Sequence, residues 1–584
     1  MKQETYFGAT EYQNVKELLY GVTEKIGDAC AFILKKAEKG PDGQTQYEKV
    51  TYKKFLELIN QLGTALFDKG YKDKRIAIIG RNSFEWVLTH LTNLLGGIVS
   101  VPIDKELQQE ELEQCVHRSK ADAIVFDSKY QDKIDVMREK PDFADKEFIC
   151  MHKLEGYQDI PELLEVGKKL VEQGRKDFID YEIDNDRMNI LLFTSGTSSK
   201  SKAVMLSHRN IASNIYSMQL VEPLFAGEVT IAFLPFHHVF GSTCIIMMLA
   251  SGIATTFPDG IRYIAQNLKE YKVSVFVGVP VLIEAIYKNI KKEIKKQGKE
   301  KIVDFARSAS NALRKVKIDL RRNLFHSILE PLGGKLKYII AGGAALDKEV
   351  SKYFDSIGVT VLQGYGLTET APVLAAENYG RRRAGSIGVP LPGVDFEIID
   401  QDEHGIGEVR VKGPNIMLGY YEAPELTAEV LKDGWFYTGD LGYFDKDGYI
   451  FLTGRKKDMI VLKNGKKVFP DEIEAIINRL DIVEESMVFG LPKEDGDVKL
   501  SVKIVYSKDV AKKQYPDKSF EELKEIIWNE IKEINKQFPT YKYIKNLILT
   551  DEPLIKTTSL KVKRQEEMKK ILLGTPSKSI SSKA

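Results

Sequence analysis

The chain has 584 residues, too many for a single hydrophobic core, so two to four domains are expected. Its 43% hydrophobic and 29% charged content are those of a folded globular protein, not a disordered or fibrous one. With 85 basic against 84 acidic residues the net charge is +1, so no global field draws in nucleic acid or an anionic membrane, and an anionic ligand must be held by local groups. Four scattered cysteines, Cys30, Cys115, Cys150 and Cys244, form no CxxC pair. That speaks against a zinc site or a disulfide framework and fits a reducing compartment. The opening MKQETYFGATEY carries no signal-peptide pattern and no apolar run is long enough to span a bilayer, so a cytoplasmic location is expected.

In chain order, residues 51–70 read as a helix, with Phe55, Leu58, Ile59, Leu62 and Leu66 on one face and Gly70 as a stop. A strand follows at Arg75–Ile79, then a helix at Ser83–Leu95 with Ser83 as N-cap, a strand at Gly97–Ile103, a helix at Gln109–Arg118 and a strand at Ala121–Phe126. Alternation of this kind, with continuous apolar strands, marks a parallel sheet covered on both faces. Lys129–Tyr181 is charged and less regular. Further strands are expected at Val229–Leu234, Val273–Val279, Lys337–Ala341 and Val359–Leu362, and a helix at Asp347–Ile357. Leu282–Lys335 reads as a long basic helical stretch, most simply a solvated insertion; a membrane-surface role ranks second, because acidic residues interleave with the lysines and arginines. From about Arg381 the texture becomes antiparallel β, at Gly385–Ile399, Gly407–Lys412 and Tyr449–Thr453. A final α+β section has helices at Pro470–Leu480 and Phe520–Phe538, strands at Glu485–Phe489 and Leu500–Tyr506, and a terminal stretch at Thr557–Leu572. The expected fold is therefore α/β: a large N-terminal region of parallel α/β sheets plus a β unit, then a small α+β C-terminal domain. The Ser- and Lys-rich tail reads as disordered.

The chemistry concentrates in the loops that follow strands, where ligands bind in open α/β sheets. Between the apolar runs Ile190–Phe193 and Ala203–Leu206 lies Thr194-Ser195-Gly196-Thr197-Ser198-Ser199-Lys200-Ser201-Lys202. Such a hydroxyl-rich loop with lysines can wrap a phosphate, though alone it reads as readily as a polar hairpin tip. It is not a Walker loop, because Ser201 stands where GxxxxGK[ST] needs glycine. Nor is Gly364-Tyr365-Gly366-Leu367-Thr368-Glu369 a dinucleotide fingerprint, since Glu369 takes the place of the last glycine. Other strands end in Pro235-Phe236-His237-His238, at Pro280, and in Gly342-Gly343-Ala344-Ala345. In an extended backbone His237 and His238 would point to opposite sides, so a shared metal is not expected.

Five segments then fall into one order: Thr194–Lys202, Gln363–Thr370, Tyr437-Thr438-Gly439-Asp440, Gly454–Asp458 and Lys556–Arg564. In that order and spacing the chain, from roughly residue 10 to 572, resembles the adenylate-forming enzymes. The long insertion before Gly342 and DGWFYTGDLG at Asp433–Gly442 look most like the long-chain fatty acid–CoA ligases. The resemblance implies a two-step reaction. A carboxylate attacks the α-phosphorus of ATP to give acyl-AMP and pyrophosphate, and a thiol then takes the acyl group. It implies ATP, Mg²⁺ and coenzyme A as reactants and cofactor, a fatty acid as substrate, and no nucleic acid; peripheral membrane contact and a homodimer stay open. No amphipathic anchor is evident in the sequence. Two rivals are a ligase loading the phosphopantetheine of a carrier protein and a non-catalytic lipid- or nucleotide-binding homologue.

Carried over residue by residue, the resemblance gives Thr194, Ser195, Gly196, Thr197 and Lys202 to the β- and γ-phosphates, Glu369 to Mg²⁺ and Thr368 to the α-phosphate. Gly343, Ala344 and Tyr365 would frame the adenine, with Tyr365 stacking and its flanking Gly364 and Gly366 also in the nucleotide site, and Asp440 and Arg455 would reach the ribose. His238 would stand beside the carboxylate, and Val277, Gly278, Val279 and Pro280 would line the acyl channel. Lys561 would bridge carboxylate and α-phosphate in adenylation, Lys457 would be the pivot for a moving C-terminal domain, and Gly465 would line the thiol tunnel. The implied domains are 1–454, 455–572 and a tail at 573–584. Ser199, Ser201, Ala203 and Leu560 depart from the family's usual glycines and proline. Each role has a plainer competitor: a dipole-stabilised carboxylate for Glu369, a turn-former for Asp440, a core aromatic for Tyr365, a structural histidine for His237, and a solvated basic segment for Lys561 with Lys556 and Lys563 nearby.

Overall fold

The computed structural model describes residues 9–194, 202–222, 224–493, 498–557, 561–574 and 580–581. The chain forms two compact units, Met1–Phe396 with Val411–Phe436, and Glu397–Arg410 with Tyr437–Ala584.

The first unit holds two mainly parallel sheets. In one, Val99–Ile103, Arg75–Ile79, Ala123–Phe126 and Glu147–Cys150 lie side by side in parallel. Their apolar side chains are buried from both faces, as a covered parallel sheet requires. The helix Phe84–Leu95 starts where expected, because the Ser83 side chain accepts the free Trp86 N–H at the helix N-terminus. The antiparallel hairpin Met188–Thr194/Lys202–Ser207 extends this sheet through Val99–Ile103, and Gly419–Tyr420 adds a short antiparallel strand beyond it. In the second sheet Ala254–Thr256, Val229–Ile231, Val275–Gly278, Tyr338–Ala341 and Thr360–Gly366 run parallel.

Several expectations are corrected. Lys129–Tyr181, expected to be less regular, contains a helix at Gln131–Arg138, strands at Glu147–Cys150 and Gln158–Asp159, and a helix at Ile160–Glu172. The last begins on Asp159, whose carboxylate accepts Glu162 N–H, with Pro161 in the first turn, a start signal that was present in the sequence. An antiparallel hairpin, Cys30–Lys39/Thr45–Thr51, went unseen because much of it is exposed and shows no alternation. The segment Gln363–Gly366, expected as a loop, is still strand. Its Gly366 lies so close to the neighbouring Val373–Ala376 strand that a Cβ would sit 1.8 Å from the Pro372 carbonyl. The basic insertion is not one helix. It breaks at Gly298, whose φ of +65° suits glycine, into Pro280–Lys296 and Glu300–Lys315.

The strand Trp435–Phe444 runs from the first unit into the second, where its residues from Asp440 to Phe444 pair antiparallel with Ile450–Arg455. Val483–Pro492, Val498–Tyr506 and Asn546–Thr550 form a sheet whose buried Val502, Ile504 and Leu547 pack against Ile527 and Trp528 of the helix Phe520–Asn535. That helix opens on a capping box between Ser519 and Glu522. The tail, expected as disordered, contributes Ile580–Ser581 as a short strand on the edge of Asn546–Thr550, where unpaired backbone groups offer it a place.

Candidate functional site

In the second sheet Val275–Gly278, Tyr338–Ala341 and Thr360–Gly366 are in register, with Gly278 opposite Ala341 and Ala341 opposite Gln363. The loops that follow these strands therefore start from one edge. Val279 is the N-cap of Pro280–Lys296, and Pro280 takes the first helical position, where its missing N–H costs nothing. A Cβ on Gly343 (φ +86°) would stand 3.4 Å from Val279 Cγ1, and one on Gly342 would stand 2.8 Å from the Phe240 ring. Gly343 and Ala344 are exposed, and the Gln363 side-chain oxygen accepts Leu346 N–H, tying their loop to the adjacent strand. Gly278 is buried against the Phe276 ring, which a Cβ would meet at 2.8 Å. Tyr365 is buried, as is Val277, while Gly364, Gly366 and Thr368 are half-buried. The residues expected around the adenine and along the acyl wall are thus neighbours at the carboxyl edge of the sheet.

The expected phosphate loop is flanked by Thr194 and Lys202, which face each other across the hairpin, with Thr194 Oγ1 donating to the Lys202 carbonyl at 3.4 Å. Ser195, Gly196 and Thr197 lie outside the described residues. Lys202 Nζ stands 4.7 Å from the centroid of the Tyr420 ring, within cation–π range. The hydroxyl of the same tyrosine donates to Glu369 Oε1 at 2.8 Å, and the Glu369 carbonyl accepts Met417 N–H. Tyr420 is 4% exposed and held by pairing opposite Val204. One aromatic side chain therefore stands between the expected phosphate lysine and the expected metal carboxylate. Sequence reasoning missed it, because only strand pairing brings residue 420 beside residues 202–207. Half-buried Glu369 has one oxygen engaged by a neutral donor. A carboxylate so placed suits a hard divalent cation shared with phosphate oxygens, so the residues present fit Mg²⁺.

His238 caps the helix Val239–Ala250 and is half-buried. The two histidines do not point apart. The chain turns through the bond from His238 N–H to the Pro235 carbonyl, and the ring centroids lie 4.5 Å apart. His237 Nε2 is 3.5 Å from Asp104 Oδ1, yet burial, and then the neighbouring His238, hold its pKa well below the usual value, so it is neutral. Among the described residues no group of three or more His, Cys, Asp or Glu side chains could hold a metal ion by itself.

In the second unit the two expected ribose residues are cross-strand partners. Arg455 Nε lies 2.8 Å from Asp440 Oδ1, and the aspartate side chain is only 8% exposed. Gly439, with φ +71°, makes the turn in backbone direction before Asp440, where an L-residue would be strained. Lys457 is exposed in the turn after Arg455, and Gly465 (φ +79°) closes the tight turn between Ile460–Val461 and Lys467–Val468. Lys561 is exposed: its carbonyl accepts Thr557 N–H at 2.8 Å, and the backbones of Lys556 and Val562 form an antiparallel bridge. Its two rivals are committed elsewhere, Lys556 to Glu485 and Lys563 to Glu566. The next helix, Arg564–Leu572, is pinned by Arg564 to Asp471 and Glu474 and by the buried pair Lys503–Glu567 at 2.8 Å.

Comparison with known proteins places the chain. A family model described as AMP-binding enzyme matches residues 23–421, and one described as AMP-binding enzyme C-terminal domain matches 457–571. The long-chain-fatty-acid–[acyl-carrier-protein] ligase AEE15, chloroplastic, of Arabidopsis thaliana is 26% identical, over 95% of this chain and 85% of that protein. Long-chain-fatty-acid–CoA ligase 1 of Homo sapiens is 29% identical, over 76% of this chain and 68% of that protein. The fold is shared with the anthranilate CoA ligase AuaEII in complex with anthranoyl-AMP, at TM-score 0.74 and 19% identity, over 96% and 98% of the two chains.

Proposed function

This chain belongs to the AMP-binding enzyme family, and on that premise we propose that it is an acid–thiol ligase, activating a long-chain fatty acid with ATP as acyl-AMP and transferring the acyl group to coenzyme A. ATP, Mg²⁺ and coenzyme A are the cofactor set of this reaction. The observation that carries the reading is the grouping of Lys202, Tyr420 and Glu369, with Glu369 in the loop that follows the parallel strand Thr360–Gly366.

In the first step a carboxylate oxygen attacks the α-phosphorus, the bond to the β-phosphate breaks, and pyrophosphate leaves. An anion has to approach a polyanion, so positioning and charge neutralisation dominate the barrier. Lys202 supplies an ammonium to the departing phosphates, with Thr194 and the residues of the adjoining loop as hydroxyl and backbone donors. Mg²⁺, held by Glu369, would neutralise phosphate charge when bound. Thr368 is assigned to the α-phosphate, His238 to the side of the carboxylate, and Lys561 to the bridge between carboxylate and α-phosphate. Asp440, paired with Arg455, retains lone pairs for the ribose hydroxyls. In the second step the thiol attacks the acyl carbon and AMP leaves. We assign the domains as 1–454 and 455–572, with Lys457 as the pivot between the two steps and Gly465 at the thiol path. The test is pyrophosphate release over a series of carboxylates, with and without coenzyme A. Release with long-chain acids, and acyl-CoA only when the thiol is present, is expected; no release with any acid would sink the reading.

The carrier-protein ligase among the relatives favours a second reading, transfer to a protein-bound phosphopantetheine. Pyrophosphate release without a CoA thioester, and acylation of a carrier protein instead, would select it.

A further inference from the structure

The helix Glu300–Lys315 buries only Ser310 completely, while Val303 and Ala306 rest on the core beneath it. A second set of apolar residues faces away. Ile302, Phe305, Ala309, Ala312 and Val316 recur at steps of three, four, three and four, which aligns them in one stripe on a helix. Ile302 is 68% exposed, Phe305 76% and Val316 65%, and the two alanines are exposed between them. Further along the chain Ile318 and Leu324 are exposed as well. From Lys291 to Arg322 there are twelve Lys and Arg against four Asp and Glu. Arg307, Arg314 and Arg321 are tied to Asp304, Asp355 and Asp319. Lys299, Lys301, Lys315 and Lys317, at the two ends of the stripe, make no ion pair among the described residues.

We propose that this helix is an interfacial docking surface for an anionic lipid bilayer. The stripe enters the boundary between headgroups and acyl chains, and the four lysines meet the lipid anions. Charge decides the occupant. A second copy laid stripe to stripe would set Lys301 and Lys315 against lysines of the same stripe, a like-charge arrangement, whereas an anionic surface pairs with both. The surface stands apart from the ligase reading and holds whatever acid the enzyme uses. It takes up the membrane-surface role that the sequence ranks second to a solvated insertion.

The test uses the full chain, sedimented with vesicles of phosphatidylcholine alone or mixed with phosphatidylglycerol. Binding to the anionic vesicles is expected, declining with salt. Ile302→Ser with Phe305→Ser should weaken it about tenfold or more, since both side chains lose apolar burial. Lys301→Gln and Lys315→Gln should each weaken it roughly fivefold. Both sets are exposed, so circular dichroism and acid-dependent pyrophosphate release with a short soluble acid should be unchanged. No binding to anionic vesicles, binding that the variants leave intact, a solution dimer that the same variants dissolve in place of vesicle binding, or capture of an acidic protein instead of the vesicles would each overturn the proposal.

Discussion

In the first unit Glu222 is buried, and among the described residues it makes no ion pair. Its Oε2 has no hydrogen-bond partner among the described residues, and burial, then the charge of Glu377, pushes its pKa up to about 8. In the second unit Glu567 is equally inaccessible, yet Lys503 lies 2.8 Å from one oxygen and Ile555 N–H donates to the other at 2.7 Å. The first carboxyl is carried as a neutral acid; the second is carried as an ion pair. The difference teaches what each is for. A protonated acid adds little direction to its surroundings. A paired and hydrogen-bonded one fixes the strand, the helix Arg564–Leu572 and the chain at Ile555, six residues before Lys561. Around that lysine, Lys556, Lys563 and Arg564 are each bound to a carboxylate, so the charges of the second unit form a frame.

Breaking that frame should give the largest effect. Lys503→Met leaves Glu567 buried without its cation and is expected to cost about 3–5 kcal/mol in the second unit, read by Trp528 fluorescence in urea. Adding Glu567→Met should recover most of it, because two apolar side chains replace the pair. A double variant as unstable as the single one would show that the pair is not the cause.

Lys561→Ala separates the frame from the chemistry it supports. Stability should not change, since Lys561 is exposed. Formation of acyl-AMP should fall by about 10²–10³-fold, the usual loss when one transition-state charge is removed. Attack of coenzyme A on supplied acyl-AMP should stay largely intact. If adenylation survives, the assignment moves to another group.

How much of this was legible depends on whether the cause is local. The parallel sheets announced themselves in continuous apolar runs such as Arg75–Ile79, and the helix starts in Ser83. The roles proposed from Thr194 to Lys561 rest on the order of five segments and the family resemblance it carries, since the loop after Thr194 taken alone reads as readily as a hairpin tip. Tyr420 could not be read in the sequence, since strand pairing across more than two hundred residues puts it beside Lys202. Nor could the exposed stripe of Glu300–Lys315. Val303, Ala306, Ser310 and Leu313 repeat with the same period as Ile302, Phe305, Ala309, Ala312 and Val316, and periodicity does not say which set meets the core. The strand Glu147–Cys150 was hidden because four residues in a charged context carry too little pattern.

The other half of the comparison is tested by pH. An acid that keeps its proton in the native state binds more protons than the unfolded chain once pH exceeds its ordinary value of 4.5. Stability therefore falls as pH rises, from near 5 until Glu222 ionises at about 8, by roughly 1 kcal/mol per pH unit. Glu377, raised to about 7 chiefly by burial, adds to the slope in the lower part of this range. Glu222→Gln should flatten the dependence and stabilise the first unit at pH 8. A slope unchanged in this variant would mean that Glu222 is not its source.

The smallest effect concerns Tyr420, where a neutral side chain, and not an ion pair, separates a cation from a carboxylate. Tyr420→Phe keeps the ring beside Lys202 and removes the hydroxyl that orients Glu369. A hydrogen bond to a charged group is worth about 1.5–3 kcal/mol, so the Mg²⁺ concentration for half-maximal adenylation should rise about tenfold while kcat at saturating metal changes little. Tyr420→Leu also removes the ring and should cost a further two- to fivefold in KM for ATP, about the worth of an exposed cation–π contact. The split matters more than the sizes. Were the two variants equal in every parameter, Tyr420 would be acting only as packing between two strands. A metal dependence that moves with the hydroxyl, and an ATP dependence that moves with the ring, would show one neutral residue serving both charged partners.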